Sequence, residues 1–248
     1  MNTRLAQLLP PLHASPVLSN VRNTLSLEHL FTANLHLGHN TQAWNPNMMP
    51  FIYGSRNGIH IINLDHTLVY LKRAINVTRE VALRGGNIVF LGSRPMLHKI
   101  VVDAALEGKA YYLTKWKGGL ITNKERVLRL SVGYDPDKVI QESKSIDLND
   151  EEDNTASTVA KKQPYVHQPD LVIILDYPNN LWALREANFA GVPVIALCDT
   201  DCDPQLVQYP IPGNDDSPLG LTLIAGVLSK ASREGYDKRQ KLIETNSI

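Results

Sequence analysis

Three short, almost wholly apolar runs most constrain what this chain can fold into. They cover residues 87–91, 171–175 and 193–197 of the 248-residue sequence. A strand that is apolar at every position, rather than at alternate ones, is typical of a parallel sheet covered on both faces. We therefore predict an α/β fold, a doubly wound and mostly parallel sheet with helices on both faces. Helical patterns fall before, between and after these runs, at 64–82, 95–107, 180–190 and 218–231.

The other segments complete the predicted organisation of the chain. With 43% hydrophobic residues, a chain of this length can bury one sizeable core, so we predict a single α/β domain made of residues 25–130 and 169–232. Residues 1–24 are expected to form a leader-like or extended N-terminal segment, and 233–248 a C-terminal tail. No apolar run approaches the roughly 20 residues needed to cross a bilayer, so no membrane partner is predicted.

Residues 131–168 separate the two parts of the predicted domain. They contain an acidic run from Asp147 to Asn154 and few aliphatic residues with any period. Such a sequence cannot bury enough apolar surface to offset the entropy lost on ordering. We predict an acidic, largely disordered insertion.

Residues 36–58 show neither the alternation of a strand nor the period of a helix. The segment holds two prolines, three glycines and several amide and aromatic side chains. Ser26 is predicted to cap a short helix that ends near Asn34, and Ile59 to Asn63 to form the first strand of the sheet. An irregular stretch of this composition is typical of a rigid contact surface. A structured loop that merely covers a core edge is the alternative.

The formal net charge is zero but unevenly distributed. Residues 1–130 carry +9, residues 131–168 carry −4, residues 169–216 carry −7 and the remainder carries +2. A basic first half beside an acidic second half indicates a nucleic-acid face on the first half. The stretch from Lys115 to Arg126 belongs to this basic half and interleaves cations with an aromatic residue and two glycines, which lets backbone and cations approach a sugar-phosphate chain.

Polar residues follow the apolar runs, where ligands bind in open α/β sheets. Asp199, Asp201 and Asp203 follow the third run, and clustered carboxylates suit Mg²⁺. A metal-dependent phosphoryl-transfer or hydrolytic enzyme that uses these strand ends is therefore the alternative function. Against it, the sequence has no phosphate-binding glycine motif and no nucleophile elbow, and the same aspartates suit turns. We predict no cofactor beyond a structural Mg²⁺ at these aspartates.

Seven blocks of sequence occur in a distinctive order between about residue 25 and about residue 230. They are Gly38-His39, Trp44-Asn45-Pro46, Arg56 to Ile62, Gly85-Gly86, Trp116 to Asn123, Asp199 to Pro204, and Tyr209 to Asp216. Together they closely resemble the small-subunit ribosomal protein two family of bacterial and organellar ribosomes. The resemblance implies a flavodoxin-like sheet and a non-catalytic role in translation, with small-subunit ribosomal RNA and neighbouring ribosomal proteins as partners and no homo-oligomer. The acidic insertion departs from the family's long helical hairpin, so the contacts of that hairpin do not carry over.

The first 27 residues contain two arginines, several serines and leucines, and no acidic residue. Such a segment resembles an organellar transit peptide, and with the family resemblance it predicts a mitochondrial, fungal-type form; a bacterial cytoplasm or a plastid is the alternative location. The residues expected to contact RNA are His39, Asn40, Asn45, Arg56, Asn57, Arg94, Lys115, Lys117, Asn123, Lys124 and Arg126.

Overall fold

The computed structural model describes residues 25–124, Val127 and 168–246. In these residues the helices are α1 (Leu27–Thr32), α2 (Leu64–Leu83), α3 (Pro95–Gly108), α4 (Leu181–Phe189) and α5 (Pro218–Asn246), with 3-10 helices at Pro46–Phe51, Pro178–Asn180 and Pro204–Leu206. The strands are β1 (Leu37–Asn40), β2 (Ile52–Arg56), β3 (Ile59–Ile62), β4 (Ile88–Leu91), β5 (Tyr111–Leu113), β6 (Leu171–Ile174), β7 (Val194–Cys198) and β8 (Tyr209–Pro212).

Five of the strands form a parallel sheet in the order β5-β4-β6-β7-β8. The chain moves outward from β4 to β5 and then crosses to the other side of β4, which is the strand order of flavodoxin-like folds. The predicted doubly wound parallel sheet is confirmed. The point where the strand order reverses lies between the carboxyl ends of β4 and β6.

Helices cover both faces of the parallel sheet, as predicted. Successive strand residues alternate between the faces: Phe90 and Ile173 pack against α2, α3 and α5, whereas Leu91 and Ile174 pack against α4 and the 3-10 helix at Pro46–Phe51. Both sets of side chains are fully buried. Burial on two faces explains why these central strands are apolar at almost every position.

The structure corrects the prediction that residues 36–58 are irregular. They contain β1, a 3-10 helix and β2, and β1 and β2 pair antiparallel on either side of β3. The strand predicted at Ile59 to Asn63 therefore exists, but it is the centre of a separate three-stranded sheet and not a strand of the parallel one. A register shift in each pairing breaks the alternation of the sequence, which is why no strand pattern is evident there.

Two further corrections concern the ends of the domain. Strands β5 and β8, at the two edges of the parallel sheet, were not predicted. The last helix continues to Asn246 rather than ending near Ala231, so it extends through most of the segment predicted as a C-terminal tail. Within the described residues no helix is long and apolar enough to cross a membrane.

Several predictions fall outside the part of the chain that the structure describes. These are the leader-like segment 1–24, nearly all of the acidic insertion at 131–168, and the RNA contact predicted for Arg126.

Candidate nucleic-acid interface

A cluster of charged side chains lies beyond the carboxyl ends of β7 and β8. We call His39, Arg94, Asp199, Asp215 and Asp216 the ion cluster. The Nδ1 atom of His39 lies 3.0 Å from Oδ2 of Asp199. The Arg94 guanidinium lies 2.9 Å from a carboxylate oxygen of Asp215 and 2.7 Å from one of Asp216. The cluster therefore joins β1, the start of α3 and the ends of two parallel strands.

Burial and mutual charge shift the protonation of this cluster. Burial raises the pKa of Asp215 to about 6, in spite of the opposing effect of Arg94. Burial also raises the pKa of Asp199. For His39, burial by itself lowers the pKa, but Asp199 and then Asp201 and Asp215 raise it, and the net pKa lies above its ordinary value. Because every one of these shifts favours the proton-bound form, the folded cluster retains protons that the unfolded chain would release.

Backbone contacts hold the small sheet against the same strand ends. The amide of His39 donates to Oγ1 of Thr200 over 2.9 Å, and the amide of Asn45 donates to the Thr200 carbonyl over 2.7 Å. A Cβ added to Gly38 would lie only 2.6 Å from the Thr200 side chain. Only glycine permits this close approach of β1 to the parallel sheet, which gives the Gly38-His39 pair a structural reason.

The ion cluster also contains the one group of potential metal ligands in the described residues. One atom each from His39, Asp199 and Asp215 lies within 4.8 Å of the others. Asp201 and Asp203, by contrast, do not converge with Asp199: Asp201 Oδ1 accepts from the Cys202 thiol, and Asp203 Oδ1 caps the 3-10 helix at Pro204–Leu206. Carboxylates suit Mg²⁺, whereas an imidazole nitrogen suits a first-row transition metal better.

Asp176 lies at the reversal point of the sheet, where doubly wound enzymes bind ligands. Its Oδ2 atom accepts hydrogen bonds from the amides of Ser93 and Arg94, at 2.9 and 3.1 Å. The Asn180 side chain donates to the other carboxylate oxygen and to the Asp176 carbonyl. The Asp176 carboxylate thus accepts the hydrogen bonds from the amides at the start of α3. In an enzyme of this fold, those amides would bind a ligand phosphate.

Glu186 of α4 organises the loop that follows β5. Its two carboxylate oxygens accept hydrogen bonds from the Trp116 indole N–H and the amides of Gly119 and Ile121, and from both the amide and the hydroxyl of Thr122, all within 3.1 Å. Burial disfavours the ionised form and by itself raises the pKa of Glu186. The donated hydrogen bonds outweigh burial, and the net pKa is lowered. A carboxylate that accepts five hydrogen bonds fixes the loop rigidly on α4.

A groove opens between this loop and the exposed face of α4. We call it the α4 groove; its volume is about 750 Å³. Its walls include Lys115, Trp116, Gly119, Trp182, Arg185 and Phe189, and it extends to Ser93 and Asn180 at the reversal point. The sequence predicts RNA contact along the stretch that contains Trp116, but it did not lead to Glu186, Trp182, Arg185 or Phe189. The available signal was the spacing of seven residues between Trp182 and Phe189, which places two large apolar rings on one helix face.

The predicted RNA contacts fall into two groups. The first group is exposed and lies at two places: Arg56 and Asn57 at the β2–β3 turn, and Lys115, Lys117 and Asn123 on the loop after β5. Asn40, at the end of β1, is also exposed. Their side chains are open to a ligand, and their role in RNA contact stays a prediction.

The second group is engaged within the protein. His39 and Arg94 belong to the ion cluster, Asn40 Oδ1 accepts from the amide of Gln42, and Asn45 Oδ1 caps the 3-10 helix through the amide of Asn47. These contacts hold the loops in place, and a role of the four residues in RNA contact stays a prediction. Lys124 is half-buried beside the exposed group.

Comparison with known proteins identifies the family. A family model described as Ribosomal protein S2 matches residues 30–235. The chain is 42% identical to small ribosomal subunit protein uS2m of Schizosaccharomyces pombe, over 100% of this chain and 90% of that protein. It is 43% identical to uS2m of Neurospora crassa, over 90% of this chain and 50% of that protein. To small ribosomal subunit protein uS2 of the bacterium Chelativorans it is 34% identical, over 87% of this chain and 84% of that protein.

These matches confirm the resemblance to the family and the mitochondrial, fungal-type form that the sequence predicts. With a family model covering most of its length and relatives of this identity aligned over nearly all of it, the chain belongs to the ribosomal protein S2 family.

Proposed function

We propose that this protein is a structural constituent of the small subunit of the mitochondrial ribosome and docks on ribosomal RNA through the loop after β5. One observation carries the proposal. Lys115 and Lys117 are exposed on a loop that is held by five hydrogen bonds to Glu186, three of them donated by backbone amides. A rigid loop that presents cations loses little entropy on meeting a phosphate backbone.

An exposed cation at a second place also supports RNA docking. Arg56 ends β2 at a two-residue turn in which Asn57 and Gly58 both have positive φ, 53° and 76°. An Asn-Gly turn of this kind forms a tight hairpin, so the cation is presented on a rigid element. Shape and backbone charge, rather than base sequence, would then determine recognition.

The geometry does not favour the alternative of a metal-dependent phosphoryl-transfer or hydrolytic enzyme. The ligand position at the reversal point is taken by Asp176, whose carboxylate is bonded to three neighbouring residues. The aspartates that suggested the enzyme do not converge. The relatives reported above are named as ribosomal proteins.

Salt dependence of RNA binding tests the proposal. We expect the affinity for a labelled RNA duplex to fall steeply with salt, and the slope of log K against log salt to lose about 0.7–0.9 for each phosphate contact removed. Reversing the charge of Lys115, Lys117 or Arg56 to glutamate should weaken binding and flatten the slope. Lys241→Glu, an exposed cation at the end of α5, is the matched control. If all four variants bind the duplex as tightly as the unmodified protein, the docking face is refuted.

A structural divalent cation at the ion cluster is a secondary proposal. Two carboxylates whose pKa values are raised by burial lie beside His39, and a cation would relieve that unfavourable burial. It would also have to compete with the proton on His39. A rise in melting temperature with Mg²⁺ or Mn²⁺ that is lost in Asp199→Asn would support the site. No rise with either ion would refute it.

A further inference from the structure

The outer face of α4 carries two large aromatic rings in solvent. Trp182 is 74% exposed and Phe189 is 86% exposed. Residues seven apart lie on the same side of a helix, about 10.5 Å apart along its axis. Exposed aromatic residues arranged on one face mark a binding surface more often than isolated ones do.

Two cations and a stretch of accessible backbone line the same groove as the two rings. The Arg185 guanidinium lies between them in sequence, with its central carbon 5.6 Å from the centroid of the Trp182 ring. Lys115 is exposed on the opposite wall of the α4 groove. On the same loop, apart from Gly118 itself and its two chain neighbours, no atom lies within 4 Å of the position that a Cβ of Gly118 would occupy, so a ligand can approach the backbone closely.

The charge that the groove presents is positive. Among its described lining residues the charged side chains are Lys115, Arg185 and Glu186. Glu186 directs both carboxylate oxygens into the loop, where five donated hydrogen bonds use its acceptor capacity. With two cations and one carboxylate the groove keeps a net positive charge, and its two exposed charged side chains, Lys115 and Arg185, are both cations, which complements a polyanion.

We propose that the α4 groove binds unpaired RNA nucleotides, with Trp182 and Phe189 as stacking surfaces for bases and Arg185 and Lys115 as phosphate contacts. The inference rests on the proposed function in that RNA is the ligand. Any of the four RNA bases can stack on an exposed aromatic ring, and an adjacent arginine adds a cation–π contribution. The rise of about 10.5 Å between the two helix positions corresponds to about three base steps of roughly 3.4 Å. A cation placed between two rings fits a chain of alternating bases and phosphates.

Two RNA probes test the groove on the full-length protein. We expect Trp182→Ala and Phe189→Ala each to weaken binding of a labelled 12-nucleotide oligouridylate on the order of tenfold, because one stacked base contributes about that much. Binding of a labelled 12-base-pair RNA duplex should stay within about twofold. Trp182→Phe keeps a ring and should retain most of the affinity. Tyr111→Ala, which removes a 63% exposed ring on β5, is the matched control and should change neither probe.

The outcomes separate this inference from the proposed function. If the oligouridylate binds Trp182→Ala and Phe189→Ala as tightly as the unmodified protein, the stacking surface is refuted. If these variants also lose association with small ribosomal subunits, the refutation stands and the groove is assigned to a protein partner instead. Failure of the proposed function looks different: Lys115→Glu and Lys117→Glu would bind the duplex as the unmodified protein does. Unchanged circular dichroism confirms that each surface variant is folded.

Discussion

The ion cluster and the α4 groove use similar residues in opposite ways. In the ion cluster the cation Arg94 and the imidazole of His39 face the carboxylates of Asp199, Asp215 and Asp216 and are matched inside the protein. In the α4 groove the carboxylate is the group that is matched internally, and the cations face solvent. The nearest acceptors of a cation, and not its position in the sequence, therefore decide whether it stabilises the fold or faces solvent.

The two regions also join different parts of the fold. The ion cluster fastens the three-stranded sheet to the carboxyl ends of the parallel strands, because His39 belongs to β1 and Asp199 follows β7. Glu186 fastens a single loop to a single helix. We therefore expect damage to the cluster to weaken the whole domain and damage at Glu186 to act locally.

The largest expected effect comes from Asp199, which is fully buried. Asp199→Ala leaves His39 without its closest carboxylate and removes the acceptor of the Thr200 amide. The Thr200 and Asp215 amides lose a buried acceptor and the partly exposed His39 loses its partner, so the free energy of unfolding should fall by about 3 kcal/mol. Urea denaturation measures this loss. Asp201→Ala, at a half-buried neighbour, should lower it by less than about 1 kcal/mol, and equal losses would contradict the special role of Asp199.

A smaller and local effect is expected at Glu186. Glu186→Ala removes the acceptor of five hydrogen bonds, and bonds to a charged acceptor contribute about 1.5–3 kcal/mol. Because the site lies near the surface, we expect a net loss of about 2–3 kcal/mol. Hydrogen exchange should accelerate at the amides of Gly119, Ile121 and Thr122, with the amides of β6 and β7 little changed. Uniform acceleration across the sheet would show that Glu186 acts globally.

The central part of the fold could be predicted from the sequence, and the edges could not. Strands β4, β6 and β7 are buried on both faces, so their apolar runs identify them. Edge strands lack this signature: β8 contains Pro210 and Pro212, which a sheet tolerates at its edge, and β5 begins with two exposed tyrosines.

The sequence of the small sheet contains a hairpin signal that the predictions above do not use. Asn57-Gly58 between Arg56 and Ile59 is the pattern of a two-residue hairpin turn, and the structure pairs β2 with β3 across it. Tertiary partners are a different matter. Nothing local in the sequence indicates that Glu186 meets a loop about 65 residues away, or that Arg94 meets Asp215. Those contacts depend on the crossover of the chain, which sequence spacing does not specify.

Stability should respond to pH in opposite directions at the two regions. Asp215 has a pKa of about 6 in the folded protein against 3.8 unfolded, so its contribution is fully present below about pH 4 and is lost as pH rises through 6. The raised pKa of His39 extends this loss above pH 6.5. Glu186 has a lowered pKa, so its contribution is present above its unfolded pKa of 4.5 and is lost as pH falls through the folded value.

Two neutral variants measure these contributions separately. Asp215→Asn should reduce the decline in unfolding free energy between pH 4 and 7, by on the order of 1–2 kcal/mol. Glu186→Gln should leave that decline unchanged and reduce the loss of stability on the acid side of pH 4.5. Unfolding free energies measured by urea titration across pH 3 to 8 give both slopes. A decline above pH 4 that persists in full in Asp215→Asn would contradict the assignment to the ion cluster.

The smallest effect expected here distinguishes the hydrogen bond of Trp116 from the packing of its ring. The indole N–H donates to Oε2 of Glu186 over 2.9 Å, and the ring packs against the apolar cluster beneath α4. Trp116→Phe keeps an aromatic ring but removes one of five donors, so we expect a loss of about 1 kcal/mol. Combining it with Glu186→Ala should give less than the sum, because the acceptor is already gone. A double-mutant cycle by urea denaturation measures this coupling, and full additivity would mean that Trp116 acts through packing alone.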